Sequence, residues 1–218
     1  ASHPQAVGVG EFSYMTELCH RLSEELASDV AYPECVGTID VSAALRLSEG
    51  YVTALTERSA GAKRVADKML SNFLYLGVIA VLFPHAKIIH CRRDARDISL
   101  SNYFQLFGAG QFYSYRLDGI ASYYQEYSRL MKHWRKVLPI EIHEVVYEDL
   151  VQEQEEISRR LIHYCSLPWD DACLTYYQTR RSVHTASNWQ VRQKVYKSSS
   201  ARWKKYAQYL PESVLSLD

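Results

Sequence analysis

The sequence predicts an α/β fold: a parallel sheet flanked by helices, packed as one domain over residues 1–218. Three observations predict it. The 218-residue chain is 47% hydrophobic, enough apolar surface for one sizeable core. Short β-branched segments alternate with helical stretches, the pattern of strands joined by crossover helices. Polar and cationic residues gather where a strand gives way to a helix, which is where open α/β sheets bind ligands.

Taken in order, helical periodicity runs over 12–28 and over 41–58, with Glu, Arg and Ser on the polar faces. Both read as scaffold helices. A short apolar segment ends at Val65 and Ala66 and is followed by Asp67 and Lys68. An apolar helix over Asn72 to Phe83 comes next. The longest apolar run, Phe73 to Phe83, is only about half of the roughly 20 residues a bilayer span needs, so it reads as buried and no membrane span is expected. A turn at Pro84 leads into KIIHC (87–91), a β-branched strand of about the usual length. Asp94 is then a credible N-cap for a helix from about Ala95 to Phe107. A long helix from about Leu117 to Val137, the strand IHEVVY (142–147) and a helix from about Glu153 to Cys165, ended by SLPW (166–169), complete a second crossover. The polar stretch 180–200 is a weak boundary in a chain without repeats.

Composition narrows the function. The 25 basic residues balance the 25 acidic ones, so no global field favours nucleic acid or an anionic membrane, and any anion site is local. The first seven residues have neither a basic nor an apolar region of secretory type. Five widely spread cysteines in no metal-like spacing suit reduced structural thiols in a cytoplasm. The histidines, among them His3, His20, His85 and His90, match no ligand spacing and read as structural, so no metal is expected.

The segment CRRDARDISLSNY (91–103) sets cations and hydroxyls at a strand end and in the first turns of a helix. Helix N-terminal amides favour an anion, and Arg offers a bidentate clamp for phosphate. On spacing alone a second reading stands beside that one, a solvated cap in which Arg92, Arg93 and Arg96 pair with Asp94 and Asp97.

The same residues resemble the 3′-phosphate-binding segment of sulfotransferases that use 3′-phosphoadenosine 5′-phosphosulfate (PAPS). The resemblance implies that Arg93 and Ser101 hold the 3′-phosphate of PAPS. DKMLSNFLYLG (67–77) and LFPHAKIIHC (82–91) look like bacterial sulfotransferases often fused to tetratricopeptide repeats, which the resemblance offers as an upstream partner module. VYEDLV (146–151) and SLPW extend it over nearly the whole chain, making Tyr147 an adenine-side contact where physics alone gives a half-buried strand tyrosine. The stretch 185–203 looks like the segment that closes over the donor, with Ser187, Gln190, Arg192 and Arg202 as donor-binding residues; its plain alternative is a solvated basic tail. The implied fold is a three-layer P-loop NTPase-like one.

Sulfuryl transfer needs a general base and a cation near the leaving group. GVGEFS (8–13) after SHP (2–4) is similar to tyrosylprotein and related sulfotransferases and makes Glu11 the base; Lys68 matches a family position near the sulfuryl group. Without the resemblance, Glu11 is a helix-terminus charge and Lys68 a partner of Asp67. The chain opens after the point where the family has its strand and PRSGTT-like phosphosulfate loop, so these are expected to be absent from it. The resulting expectation is a metal-independent transferase moving a sulfuryl group from PAPS to a hydroxyl of a peptide tyrosine, carbohydrate or small molecule, with 3′-phosphoadenosine 5′-phosphate as product. The alternatives are a degenerate nucleotide-binding module and a nucleotide kinase, the latter disfavoured because no Gly-Lys-Ser/Thr sequence is present.

Overall fold

The computed structural model describes residues 2–59, 61–108, 110–179, 192–194 and 200–217. It divides into two compact units, one of Ala1–Ile88, Val137–Glu141 and Cys165–Lys194 and one of Ile89–Lys136, Ile142–Tyr164 and Val195–Asp218. The class is α/β, with parallel strand pairing in the first unit. Among the described residues the strands form two separate pairs, where the sequence suggests one sheet.

In the first unit, β1 (Ala6–Gly10) pairs in parallel with β2 (Arg64–Asp67), Val7 opposite Val65 and Gly10 opposite Asp67, with the register slipping between Gly8 and Gly10. The sequence reading has no strand at β1, because two glycines in five residues give it little β-propensity. The helix expected over 12–28 is broken into α1 (Tyr14–His20) and α2 (Leu22–Glu25) at Arg21, and Ala27 turns left-handed at φ 48°. Helix α3 (Val41–Thr56) starts where Asp40 Oδ1 accepts the Ala43 amide at 2.7 Å. The apolar stretch read as one helix is a 3₁₀ segment, Leu70–Tyr75, running into α4 (Leu76–Leu82). Leu76, Val78, Ile79, Ala80 and Leu82 of α4 are buried, as are Met15, Leu18 and Cys19 of α1.

In the second unit, β3 (Ile88–Arg92) leads to α5 (Ala95–Tyr103), which stops short of the expected Phe107. Helix α6 (Leu117–Val137) has the predicted bounds. Strand β4 (Ile142–Val146) pairs with β3 and passes into α7 (Tyr147–Gln152) and α8 (Gln154–Tyr164), so Tyr147 opens a helix and does not close a strand. A 3₁₀ segment, Arg202–Tyr209, and α9 (Glu212–Leu215) end the chain. Leu210, between the two, and Val214 of α9 share a core with Ala95, Leu100 and Ala121 of α5 and α6. Among the described residues no helix is long and apolar enough to cross a membrane.

Two of the histidines read as structural, His3 and His90, have both ring nitrogens met by protein partners. His3 is buried, with Nε2 2.8 Å from the Pro168 carbonyl and Nδ1 accepting the Gln5 amide at 3.0 Å. His90 of β3 meets the Tyr127 hydroxyl through Nε2 and lies 3.0 Å from Arg135 Nη2 through Nδ1, both partners coming from α6. Burial lowers the His90 pKa to about 4, with the Arg135 and Arg92 charges acting in the same direction. The ring is neutral at pH 7, so Glu144, 3.4 Å away on β4, is a neighbour and pairs instead with Arg135 and Arg92.

Because the folded-state value lies below the ordinary 6.5, only the unfolded chain takes up this proton as pH falls towards about 4. The stability it confers is complete above the ordinary value and lost across that window, a swing on the order of 3 kcal/mol. Denaturant titrations at a series of pH values should show this loss, and His90→Asn should flatten that part of the profile. A profile left unchanged by the substitution would contradict the assignment.

Candidate active site

Gly10 closes β1 with φ +81°, and nothing lies within 4 Å of where a Cβ would stand, so backbone conformation and not space calls for glycine. The chain turns there and carries Glu11 off the strand end. Lys68 follows β2 directly, its amide donating to the Gly10 carbonyl at 3.0 Å. The Lys68 ammonium donates to Glu11 Oε1, and the two side chains keep 55% and 38% of their surface exposed. An exposed pair of this kind adds only about 0–1 kcal/mol of stability. What it does is set an acid and a cation side by side at the carboxyl ends of two parallel neighbours.

Asp67, the partner that sequence proximity offers Lys68, is engaged elsewhere. Its Oδ2 accepts from Tyr51 Oη at 2.9 Å and from Asn72 Nδ2 at 3.2 Å. Burial raises the Asp67 pKa, outweighing the hydrogen bonds from Tyr51, Asn72 and the Phe12 amide, and burial likewise raises Tyr51. These three residues tie α3 and the 3₁₀ segment to the strand end from which Lys68 departs. Nothing in the local sequence marks Tyr51 or Asn72; only the tertiary fold brings them to Asp67.

In the second unit Asp94 caps α5. Its Oδ1 accepts the amides of Arg96 at 2.9 Å and Asp97 at 3.2 Å, and its Oδ2 pairs with Arg96 Nη2 at 2.6 Å. Burial would raise this carboxyl, but the Arg96 hydrogen bond and the capped amides outweigh it and hold Asp94 below the usual carboxylate range. The Asp94 amide donates to Glu148 Oε1 at 3.1 Å, which fastens the start of α5 to α7.

The cations therefore sort themselves. Arg96 goes to Asp94, as the cap alternative has it, whereas Arg92 goes to Glu144 on β4 at 3.4 Å, a partner outside that cap. Arg93 differs: its guanidinium lies 5.0 Å from the centre of the Tyr147 ring, and Nη2 makes a long 3.9 Å approach to Asp97 Oδ2. The structure thus brings together Glu11 with Lys68, and Arg93 with Tyr147. Ser101 is exposed on α5, one turn beyond Asp97 on the same stripe. Arg202 lies in the second unit with its guanidinium 5.3 Å from the Phe104 ring centre, whereas Arg192 is exposed and belongs to the first unit. Ser187 and Gln190 lie outside the described residues. The approach of Asp97 to Arg93 matches the cap alternative read from spacing, but its contact with the Trp203 amide, 106 residues away, has no local signature.

The first unit presents a cation at paired strand ends and the second presents cations and amide donors at a capped helix start, each an arrangement suited to anionic ligands. The chain belongs to the sulfotransferase family, whose family model matches residues 7–171. An uncharacterized protein of Aquifex aeolicus (strain VF5) is 33% identical over 216 residues, which is 96% of this chain and 28% of that protein, so the chain spans little more than a quarter of its relative. Among solved structures, the sulfotransferase domain from the Synechococcus PCC 7002 olefin synthase superposes with a TM-score of 0.64 over 93% of this chain and 79% of that one, at 14% identity. At that identity the match bears on the fold alone, and it is the P-loop-like α/β class expected from the sequence. The sulfotransferase domain from the curacin biosynthetic pathway, 19% identical over 93% of this chain and 83% of that one, reaches a TM-score of 0.44 and carries no argument.

If Asp94 organises the start of α5, Asp94→Ala removes the cap and frees Arg96, and it should cost about 1–2 kcal/mol of stability by denaturant titration. No loss would mean that the cap does not hold this turn.

Proposed function

We propose that the chain transfers a sulfuryl group from PAPS to the hydroxyl of an alcohol or phenol, with Glu11 as general base and Lys68 as the cation at the leaving group. The observation that carries this reading is the pairing of Glu11 with Lys68 at the ends of β1 and β2. Bound PAPS supplies an activated sulfuryl group, whose transfer to the acceptor oxygen breaks the bond between sulfur and the bridging phosphate oxygen. Glu11 takes the proton that the acceptor hydroxyl gives up as its oxygen attacks. Lys68 offsets the negative charge that collects on the departing oxygen. Until an anionic donor competes for Lys68, the two side chains satisfy one another; that competition returns the Glu11 oxygens to the acceptor.

Recognition of the nucleotide falls to the second unit. Arg93 offers the 3′-phosphate two guanidinium donors, with Ser101 as a hydroxyl donor and the Tyr147 ring on the adenine side. The residues present fit such a ligand: Arg93 keeps 23% of its side chain exposed and stands against an aromatic face at the start of a capped helix. Arg202 is a further cation for the same nucleotide. The acceptor is read only as a hydroxyl of a peptide tyrosine, a carbohydrate or a small molecule. All five cysteines are free thiols, an arrangement that suits a reducing compartment such as the cytoplasm.

Glu11→Gln should lower kcat for transfer by about 10²–10⁴-fold. Affinity for 3′-phosphoadenosine 5′-phosphate, measured by calorimetry, should change by no more than about threefold, because the base acts in the transition state. Lys68→Ala should lower kcat by about 10²–10³-fold. Unchanged turnover in the Glu11 variant removes it from the mechanism, and failure of the unaltered chain to bind the nucleotide sinks the reading.

A further inference from the structure

Asp97 is a buried helix-start acid with one oxygen hydrogen-bonded and the other, Oδ2, without a hydrogen-bond partner among the described residues. It is 1% exposed, and its side chain is wholly buried beside a cation. A carboxylate taken that far out of water is costly unless partners meet it. Its place in the first turn of α5 supplies favourable helix-terminus charge. Its Oδ1 accepts the backbone amide of Trp203 at 2.8 Å, and its Oδ2 faces Arg93 Nη2 at 3.9 Å. One oxygen therefore addresses the residue next to Arg202, and the other addresses Arg93.

The contact with Trp203 is reinforced on its far side. The Arg96 guanidinium lies 4.1 Å from the centre of the Trp203 ring while paired with Asp94 at 2.6 Å. Further along, Tyr206 meets Phe104 edge to face at 5.3 Å, so the 3₁₀ segment is seated along α5 at both ends. Trp203 is thus braced, and Arg93 on the other side lies 5.0 Å from the Tyr147 ring centre, so the buried carboxylate stands between two neighbours whose positions it can link.

We propose that Asp97 is a positioning residue of the 3′-phosphate site: its buried Oδ2 faces Arg93 as a charge partner without a hydrogen bond while its Oδ1 accepts the Trp203 amide, so that Arg93 and the segment carrying Arg202 are set by the same turn of α5. This rests on the nucleotide reading above and adds to it a coupling. A 3′-phosphate that orders Arg93 tightens the contact between Asp97 and Trp203, and loss of that contact weakens recognition of the 3′-phosphate in return. An Asp97 that served stability alone would lower the binding of all nucleotides together and leave their ratio unchanged.

The test compares calorimetric affinities for 3′-phosphoadenosine 5′-phosphate and adenosine 5′-phosphate, which differ only in the 3′-phosphate. Asp97→Asn is expected to cut the preference for the first by about tenfold, and to cut it no further in an Arg93→Ala background. If Arg93→Ala abolishes the preference while Asp97→Asn leaves it intact, this inference is overturned and the donor reading stands. If the unaltered chain shows no preference, both are overturned. Hydrogen exchange on the unaltered chain gives the same test without a substitution: the peptide containing Trp203 should be protected more by 3′-phosphoadenosine 5′-phosphate than by adenosine 5′-phosphate. Equal protection by the two would overturn the inference.

Discussion

The parallel register of β1 on β2 is the constraint on which the chemistry of the first unit depends. With Gly10 opposite Asp67, the residues that follow each strand leave the pair side by side, and those residues are Glu11 and Lys68. A slip of one residue would turn every side chain of the strand to the other face and separate the pair. The register is held by the ladder itself, by the left-handed turn at Gly10 and by Asp67, whose carboxylate is fixed by Tyr51 and Asn72. Two residues with ordinary intrinsic chemistry acquire complementary roles because the backbone delivers them to one place.

A different device organises the second unit. Asp94 satisfies two of the amides that open α5 and takes Arg96 as its ion partner, while Glu144 gathers Arg92 and Arg135. Acidic residues thus absorb most of the local positive charge in defined pairs. Arg93, 5.0 Å from the centre of the Tyr147 ring and 3.9 Å from Asp97 Oδ2, is the cation that the proposed function assigns to the 3′-phosphate. On the proposed reading, an Arg-rich sequence would serve a single phosphate through this sorting and not through net charge.

Much of the fold was legible from pattern alone. The long amphipathic α6, the β-branched β3 and the Asp94 cap carry strong local signals, and the structure has each where periodicity and capping chemistry put it. The failures are also local in origin. Strand β1 is short and glycine-rich, and it is a strand only because β2 pairs with it. The helix expected over 12–28 breaks at Arg21, whose backbone leaves the helical region at φ −105° and ψ 8° although the apolar spacing continues. Tyr147 reads as strand because IHEVVY is β-rich throughout, yet it opens α7. For the site, residue types were legible and partnerships were not. Glu11 and Lys68 stand 57 residues apart in sequence, and Asp97 and Trp203 stand 106 apart, so only a register and a tertiary contact join them. The roles assigned to these residues came from family resemblance, which spacing alone did not supply.

The most direct measurement is product analysis after incubating the chain with PAPS and a mixed set of phenols, saccharides and tyrosine-containing peptides. The account predicts an acceptor that gains the mass of one sulfuryl group on a hydroxyl oxygen, with 3′-phosphoadenosine 5′-phosphate released in equal amount. Release of that nucleotide without any modified acceptor, or a phosphoryl group transferred in its place, would contradict the account.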